Sequence, residues 1–209
     1  MMRWEILNHI AETIGAKTYL EIGVYDGTCM RKIQVAEKWG VDPTPQMEAV
    51  KASHVFQAQT SDAFFAGPNT TRFDLIFIDG DHRAEQAYRD AHNAIAKLTP
   101  KGIVVLHDCS PDNEALQIVP AIQGLWTGDV WKAIVQLRAE GEHLVRVVNC
   151  DYGVGIIAPF RKNDEFSEFT PKNPNLDLAN LTWRDLEQDR KNLLGLLEVS
   201  EWKEWFNSL

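Results

Sequence analysis

The side chains that could do chemistry gather where β-favouring runs end. Glu21, Gly23, Tyr25 and Gly27 lie in E-I-G-V-Y-D-G, Asp42 follows Val41, and Ser61-Asp62 follow a short run ending at Gln57. Asp79, Asp81 and His82 close F-D-L-I-F-I-D-G-D-H, and His107, Asp108 and Cys109 close I-V-V-L-H-D-C. Glycines at 23 and 27 allow a tight turn and close approach of a ligand to bare backbone. Their pattern is G-x-x-x-G. The G-x-G-x-x-G that brings a pyrophosphate to a helix N-terminus is missing, which disfavours a nicotinamide-dependent oxidoreductase. The acidic Glu21 beside the turn would repel a diphosphate and suit a cationic ligand. Asp42 stands 19 residues after Gly23, near the spacing at which a carboxylate accepts from ribose hydroxyls. A helix N-cap is the plain alternative for Asp42 and for Asp62. Carboxylates and imidazoles converging at one mouth are costly unless they bind a cation, share protons or act as acid and base. Asp79, His82 and His107 are thus the candidate reacting groups, either His82 or His107 being able to take a hydroxyl proton as neutral imidazole. The alternative is that Asp81 and His82 cap the next helix and His107 is a satisfied, partly buried histidine.

The elements that must position these groups follow from periodicity. Trp4, Leu7, Ile10, Ala11 and Ile14 recur at helical steps, with Gly15 placed to stop the helix. Alternating strands and helices follow: strand 18–22, helix 28–38, strand 39–41, helix 46–52, strand 54–57, a helix from Ser61, and strand 73–78. A helix over 83–98 is closed by Thr99-Pro100, and Gly102 opens the apolar strand I-V-V-L. The runs at 73–78 and 103–106 are nearly continuously apolar, as in central strands covered on both faces. Helices at 113–125 and 130–139 and strands at 143–148 and 153–158 come next; the last two are close enough to pair antiparallel at a sheet edge. From Pro159 the chain turns polar, and two helical stretches follow at 183–197 and 200–206. Trp183, Leu186, Leu193, Leu194, Leu197, Trp202 and Trp205 form their apolar face. The expected fold is α/β: a Rossmann-like open, mostly parallel sheet with helices on both faces, an antiparallel edge hairpin and a C-terminal helical extension. The expected division is a domain over 1–160 and a polar excursion with helical extension over 161–209, packed on the domain or on a dimer partner.

The chain has 209 residues, 44% hydrophobic and 24% charged, sufficient for one well-packed domain with an elaboration. Its net charge of −9 and pI of about 5.1 argue against a nucleic-acid partner. Cys29, Cys109 and Cys150 are odd in number and widely spaced, giving neither a disulfide framework nor a zinc site, as suits a reducing cytoplasm. No signal peptide or membrane span is expected.

The turn over 21–27 resembles the first motif, E/D-x-G-x-x-x-G, of class I S-adenosylmethionine-dependent methyltransferases. Together with Asp42 and Ser61-Asp62-Ala63 in order, and with I-D-G-D-H and V-V-L-H-D, the resemblance extends to the small-molecule O-methyltransferases of the catechol and macrocin types and their uncharacterised bacterial relatives. It spans about residues 17–160. G-D-V-W-K-A at 128–133 and D-Y-G-V-G at 151–155 resemble the same relatives, which makes Trp131, Lys132, Asp151 and Tyr152 candidates to line a pocket or, alternatively, core and surface residues. The resemblance implies a cofactor site of Glu21, Gly23, Tyr25, Gly27 and Asp42, with Ser61 and Asp62 at adenine. It also implies a metal set of Asp79, His107 and Asp108. His107 departs from the family's oxygen ligand, pointing away from Mg²⁺ toward Mn²⁺, Fe²⁺ or a metal-free site. The implied function is methyl transfer to a hydroxyl of a small molecule, such as a sugar or secondary metabolite; the alternative is a non-catalytic S-adenosylmethionine-binding or assembly module.

Overall fold

The computed structural model describes residues 1–122, 124–160 and 169–209. The chain divides into two compact units, Met1–Asp81 with Arg89–Leu106, and His82–Tyr88 with His107–Leu209. Part of the polar excursion expected after Pro159, residues 161–168, lies outside the described residues.

The first unit contains α1 (Arg3–Ile14), β1 (Thr18–Ile22), α2 (Thr28–Lys32), β2 (Glu37–Val41), α3 (Met47–Ala52), β3 (Val55–Gln57), α4 (Ser61–Ala66), β4 (Phe73–Ile78), most of α5 (Ala84–Ala96) and β5 (Leu98–Leu106). Its strands run parallel in the order β3-β2-β1-β4-β5. The continuous apolar runs are central strands as expected, with Leu75, Ile76, Phe77, Val104 and Val105 fully buried. Asp74 ties three strand starts together: it accepts from the Lys17 and Thr18 N–H groups at 2.8 and 3.1 Å and from the Thr99 hydroxyl at 2.8 Å. Gly15, left-handed at φ 68°, stops α1 as expected.

Two boundaries differ from the sequence expectation by more than two residues. α2 ends at Lys32 instead of continuing to 38, because distant side chains satisfy the backbone at its end. Asn8 of α1 donates to the Lys32 carbonyl at 2.9 Å and accepts from the Gln34 N–H at 2.8 Å, while Lys38 donates to the Met30 carbonyl at 2.9 Å. β5 begins at Leu98 instead of Gly102; a register shift against β4 accommodates the exposed Pro100-Lys101 step.

The second unit contains α6 (Glu114–Gln117), α7 (Trp131–Glu140), β6 (His143–Val148), β7 (Val154–Pro159), α8 (Trp183–Leu194), β8 (Leu196–Leu197) and α9 (Trp202–Ser208). β6 and β7 form the expected antiparallel hairpin, from His143 opposite Pro159 to Val148 opposite Val154. The long helix expected over 113–125 is one turn, α6. Trp126 donates from its indole to the Ile118 carbonyl at 2.7 Å, and Thr127 donates from N–H and hydroxyl to the Leu116 carbonyl at 3.0 Å, so the returning loop takes the groups a longer helix would use. Pro120, lacking an N–H, could not have continued it. The helix expected over 183–197 stops at Gly195, left-handed at φ 58°, and Leu196–Leu197 become a strand parallel to β6. Leu186, Leu193, Leu194 and Trp202 are buried as expected; Trp183 and Trp205 are half-buried, and Phe206 is an unanticipated core residue. No helix among the described residues is long and apolar enough to cross a membrane.

Candidate functional site

At the end of β1 the backbone turns sharply over 23–27. Gly23 (φ 82°), Tyr25 (φ 48°) and Gly27 (φ 75°) are left-handed, and the Gly27 N–H closes the turn on the Val24 carbonyl at 2.8 Å. A Cβ on Gly23 would lie 2.2 Å from the Asp79 carbonyl oxygen, and one on Gly27 would lie 2.7 Å from the Ala49 Cα. Both glycines are thus already required by close backbone packing against β4 and α3. Asp26 accepts from the Thr28 N–H and hydroxyl, each at 2.8 Å, and those bonds lower its pKa.

Asp42, at the end of β2, reaches across to this turn. One carboxylate oxygen accepts from the Tyr25 N–H at 2.9 Å, the other from the Thr44 N–H at 2.8 Å. It does not cap α3, whose N-cap is Gln46. The Tyr25 ring projects into solvent, 71% exposed. At the next strand end Thr60, not Asp62, caps α4 by accepting from the Ala63 N–H at 3.3 Å. Ser61 opens that helix, and Asp62 in its first turn pairs with Arg89 at 3.2 Å.

Glu21 is placed differently from the charged group its sequence position suggested. Alternation along β1 puts it on the face of Tyr19, where its carboxyl is 1% exposed and accepts from the Tyr19 hydroxyl at 2.6 Å. Burial pushes its pKa up to about 8, aided by nearby Asp79 and opposed by the Tyr19 hydrogen bond and by Arg3 and Lys38. At neutral pH it is mostly a neutral acid, so the expected electrostatic repulsion of a diphosphate does not arise from it. Asp79, at the end of β4, lies 3.6 Å from the Arg3 guanidinium.

In the second unit an acid and imidazole series surrounds Asp108, which is left-handed at φ 59°. Its Oδ2 is 3.1 Å from His82 Nδ1 and its Oδ1 is 3.2 Å from His107 Nδ1; His107 Nε2 is 3.6 Å from Asp151. Asp151 and Tyr152 are also left-handed. Their loop pairs with the segment after β5: the Gly153 carbonyl accepts from the Cys109 N–H at 3.0 Å, and the Tyr152 carbonyl from the Ser110 N–H at 2.7 Å. A cleft of about 340 Å³ opens beside it, lined by Ser110, Asp112, Asn149, Cys150, Asp151 and Tyr152 among others.

The two histidines therefore differ. His107 is 6% exposed and lies between two carboxylates, its Nδ1 near Asp108 and its Nε2 farther from Asp151. His82 Nδ1 faces two acceptors, the Asp108 carboxylate and the Trp126 carbonyl at 3.0 Å, so Nδ1 carries a proton. Trp126 also stacks on the ring, centroids 5.4 Å apart. The G-D-V-W-K-A stretch packs against this histidine: Gly128 and Asp129 lie on its backbone, Trp131 is fully buried, and Lys132 pairs with Asp129 at 3.1 Å. Sequence reasoning missed Trp126 and Asp129 because their role depends on meeting a residue more than forty positions earlier. The signal available was Asp129 beside a glycine.

Residues 20–109 match a family model described as a methyltransferase domain. No curated protein matches the sequence. Among solved structures, a methyltransferase of Podospora anserina bound to S-adenosylhomocysteine aligns with a TM-score of 0.58 at 17% identity, covering 76% of this chain and 78% of that one. An O-methyltransferase of Streptomyces achromogenes involved in tomaymycin synthesis, in complex with S-adenosylmethionine, aligns with a TM-score of 0.54 at 15% identity, covering 76% and 80%. An O-methyltransferase of Bacillus cereus in complex with S-adenosylhomocysteine gives 0.55 at 14%, covering 75% and 80%. The turn at 21–27, Asp42 and the residues up to Asp108 all lie inside the segment that resembles the methyltransferase-domain model, and the chain shares the Rossmann-like fold of these O-methyltransferases.

Proposed function

We propose that the chain transfers a methyl group from S-adenosylmethionine to a hydroxyl of a small molecule, a sugar or secondary metabolite, with His82 as the proton acceptor. The observation that carries this reading is the His82 ring, whose Nδ1 is held between the Asp108 carboxylate and the Trp126 carbonyl, the kind of contact that orients a histidine base. The structures solved with S-adenosylmethionine or S-adenosylhomocysteine bound support the choice of methyl donor.

The residues fit the donor. Each Asp42 oxygen accepts one backbone N–H, and a carboxylate has about four lone-pair sites, so capacity remains for two ribose hydroxyls. Bound there, S-adenosylmethionine supplies a methyl group on a sulfonium, a leaving group that needs no protonation. The chain's own work is to align the acceptor oxygen and remove its proton. With the donor bound, the acceptor oxygen would take the methyl carbon as the carbon–sulfur electron pair returned to sulfur, and the hydroxyl proton would pass to His82 Nε2. Asp108 then stabilises the imidazolium through Nδ1–H. Asp79, three residues before His82 in the chain, is proposed as a further carboxylate of the reacting end. No step is routed through an ion at Asp79, His107 and Asp108, the metal set that the resemblance implies.

The test begins with calorimetry of both S-adenosyl ligands, followed by a radiolabelled-methyl assay over a panel of sugars and phenols. His82→Gln should keep donor affinity and lose about 10² to 10⁴ in rate, while EDTA leaves the wild-type rate unchanged. Full activity in His82→Gln, or a rate that vanishes with EDTA and returns with Mn²⁺, would reject the metal-free base.

A further inference from the structure

We propose that Asp129 is a positioning residue for His82, and that the Trp126–Asp129 segment sets the imidazole's tautomer and aim. This rests on the reading of His82 as the base.

The segment touches His82 on its main chain, its ring edge and its ring face. The Asp129 N–H donates to the His82 carbonyl at 3.1 Å, and Asp129 Oδ1 accepts from the Ala84 N–H at 2.8 Å. Asp129 thus grips the chain on both sides of the His82–Ala84 step, supplying from a distant loop the acceptor that the first N–H of α5 needs. Its other oxygen is fixed by Lys132 at 3.1 Å. Gly128 is left-handed at φ 62°, and a Cβ there would lie 1.7 Å from the His82 carbonyl oxygen, so only glycine lets the loop approach this closely. Trp126 then presents its carbonyl to Nδ1 and stacks its ring on the imidazole, tilted by 21°. The segment is itself anchored, because Thr127 is 1% exposed and its N–H and hydroxyl both donate to the Leu116 carbonyl.

The mechanical consequence follows from the size of the error a base tolerates. A misplacement of about 1 Å at a reacting atom costs about 10²-fold in rate. Loss of the Asp129 carboxylate frees the Ala84 N–H and the loop together, so the ring is no longer held between Asp108 and the Trp126 carbonyl. Substrate binding elsewhere is untouched, and the loss falls on turnover.

The experiment compares wild type, Asp129→Ala, Asp129→Asn and Trp126→Leu in the full chain. Nitrogen-15 imidazole spectra of the free protein should show His82 as the Nδ1–H tautomer in the wild type. Asp129→Asn should retain it, since the amide oxygen can still accept from Ala84. A mixture of tautomers is expected in Asp129→Ala and in Trp126→Leu, with S-adenosylmethionine affinity unchanged in all. Given an acceptor, kcat in Asp129→Ala should fall about 10- to 100-fold with KM within about twofold, and Asp129→Asn should recover most of it. If Asp129→Ala fails to fold, Trp126→Leu carries the same spectroscopic test. A wild-type His82 spectrum in both Asp129→Ala and Trp126→Leu overturns the proposal, as does an Asp129→Asn as impaired as Asp129→Ala. Should His82→Gln keep full activity while Asp129→Ala still shifts the His82 spectrum, the base reading fails and the positioning stands.

Discussion

Glu21 shows how far a side chain's chemistry can depart from its type. Its folded pKa of about 8 lies above the ordinary 4.5, chiefly because burial disfavours the charge. Below about pH 4.5 the carboxyl is protonated in both folded and unfolded chains. Between there and about pH 8 only the unfolded chain gives up its proton, so this group makes stability fall as pH rises and has a constant cost beyond. Glu21→Gln, which can still accept from the Tyr19 hydroxyl, should flatten that decline and gain a few kcal/mol over the wild type near pH 9 while matching it near pH 4. Denaturant unfolding at a series of pH values checks this, and parallel curves for the two proteins would contradict it. Asp42 gives a second residue-scale test. Two hydrogen bonds to a charged acceptor contribute about 1.5–3 kcal/mol each, so Asp42→Ala should weaken S-adenosylmethionine at least about tenfold by calorimetry. The same substitution also releases the Tyr25 and Thr44 N–H groups, so a lower melting temperature is expected alongside.

At the scale of elements, what stops a helix or allows a turn is contact with another element. Gly23 is the sharpest case. A substitution there meets both a left-handed φ and the Asp79 carbonyl, so Gly23→Val should lower the stability of the fold by about 3 kcal/mol or more, beyond any loss of ligand. Thermal unfolding without ligand measures it, and an unchanged melting temperature would mean the turn can relax. In the second unit, Trp202 opens α9 fully buried against its surroundings. Trp202→Ala should cost about 3–5 kcal/mol, more than most core truncations, because so large a cavity cannot collapse. Arg138 of α7 is another element-scale fixture: buried, it donates to the Val145 carbonyl of β6 and, at 3.3 Å, to the Asn192 carbonyl of α8, and burial lowers its pKa to about 10.

For the whole molecule, the C-terminal stretch belongs to the second compact unit together with the residues around His82, Asp108 and the β6–β7 hairpin. β8 extends that unit's sheet beside β6, and Leu186, Leu193, Leu194 and Trp202 are interior. A chain truncated after Pro159 should therefore aggregate or lose cooperative unfolding, since full burial of each such side chain contributes about 1.5–3 kcal/mol. Recovery of a truncated chain that stays dispersed and is as stable as the full one, by scanning calorimetry and gel filtration, would refute this.

What the sequence by itself determined is whatever depends on local pattern. The apolar stripe of α1, the continuous run of β4 and the order of polar residues at strand ends are read from neighbours a few positions apart, because burial on a helix or strand repeats with that element's own period. From these came the parallel α/β framework, the hairpin and the methyltransferase resemblance. Tertiary structure alone decided where α2 stops, since Asn8 acts on Gln34 across 26 positions, and that Leu197 is in a strand, since β8 exists only against β6. It also decided that Glu21 is held neutral, and that the His82 ring meets the Trp126 carbonyl across 44 positions. Helix ends and ring protons are settled by where hydrogen-bonding groups find partners, and those partners come from parts of the chain that no local period links.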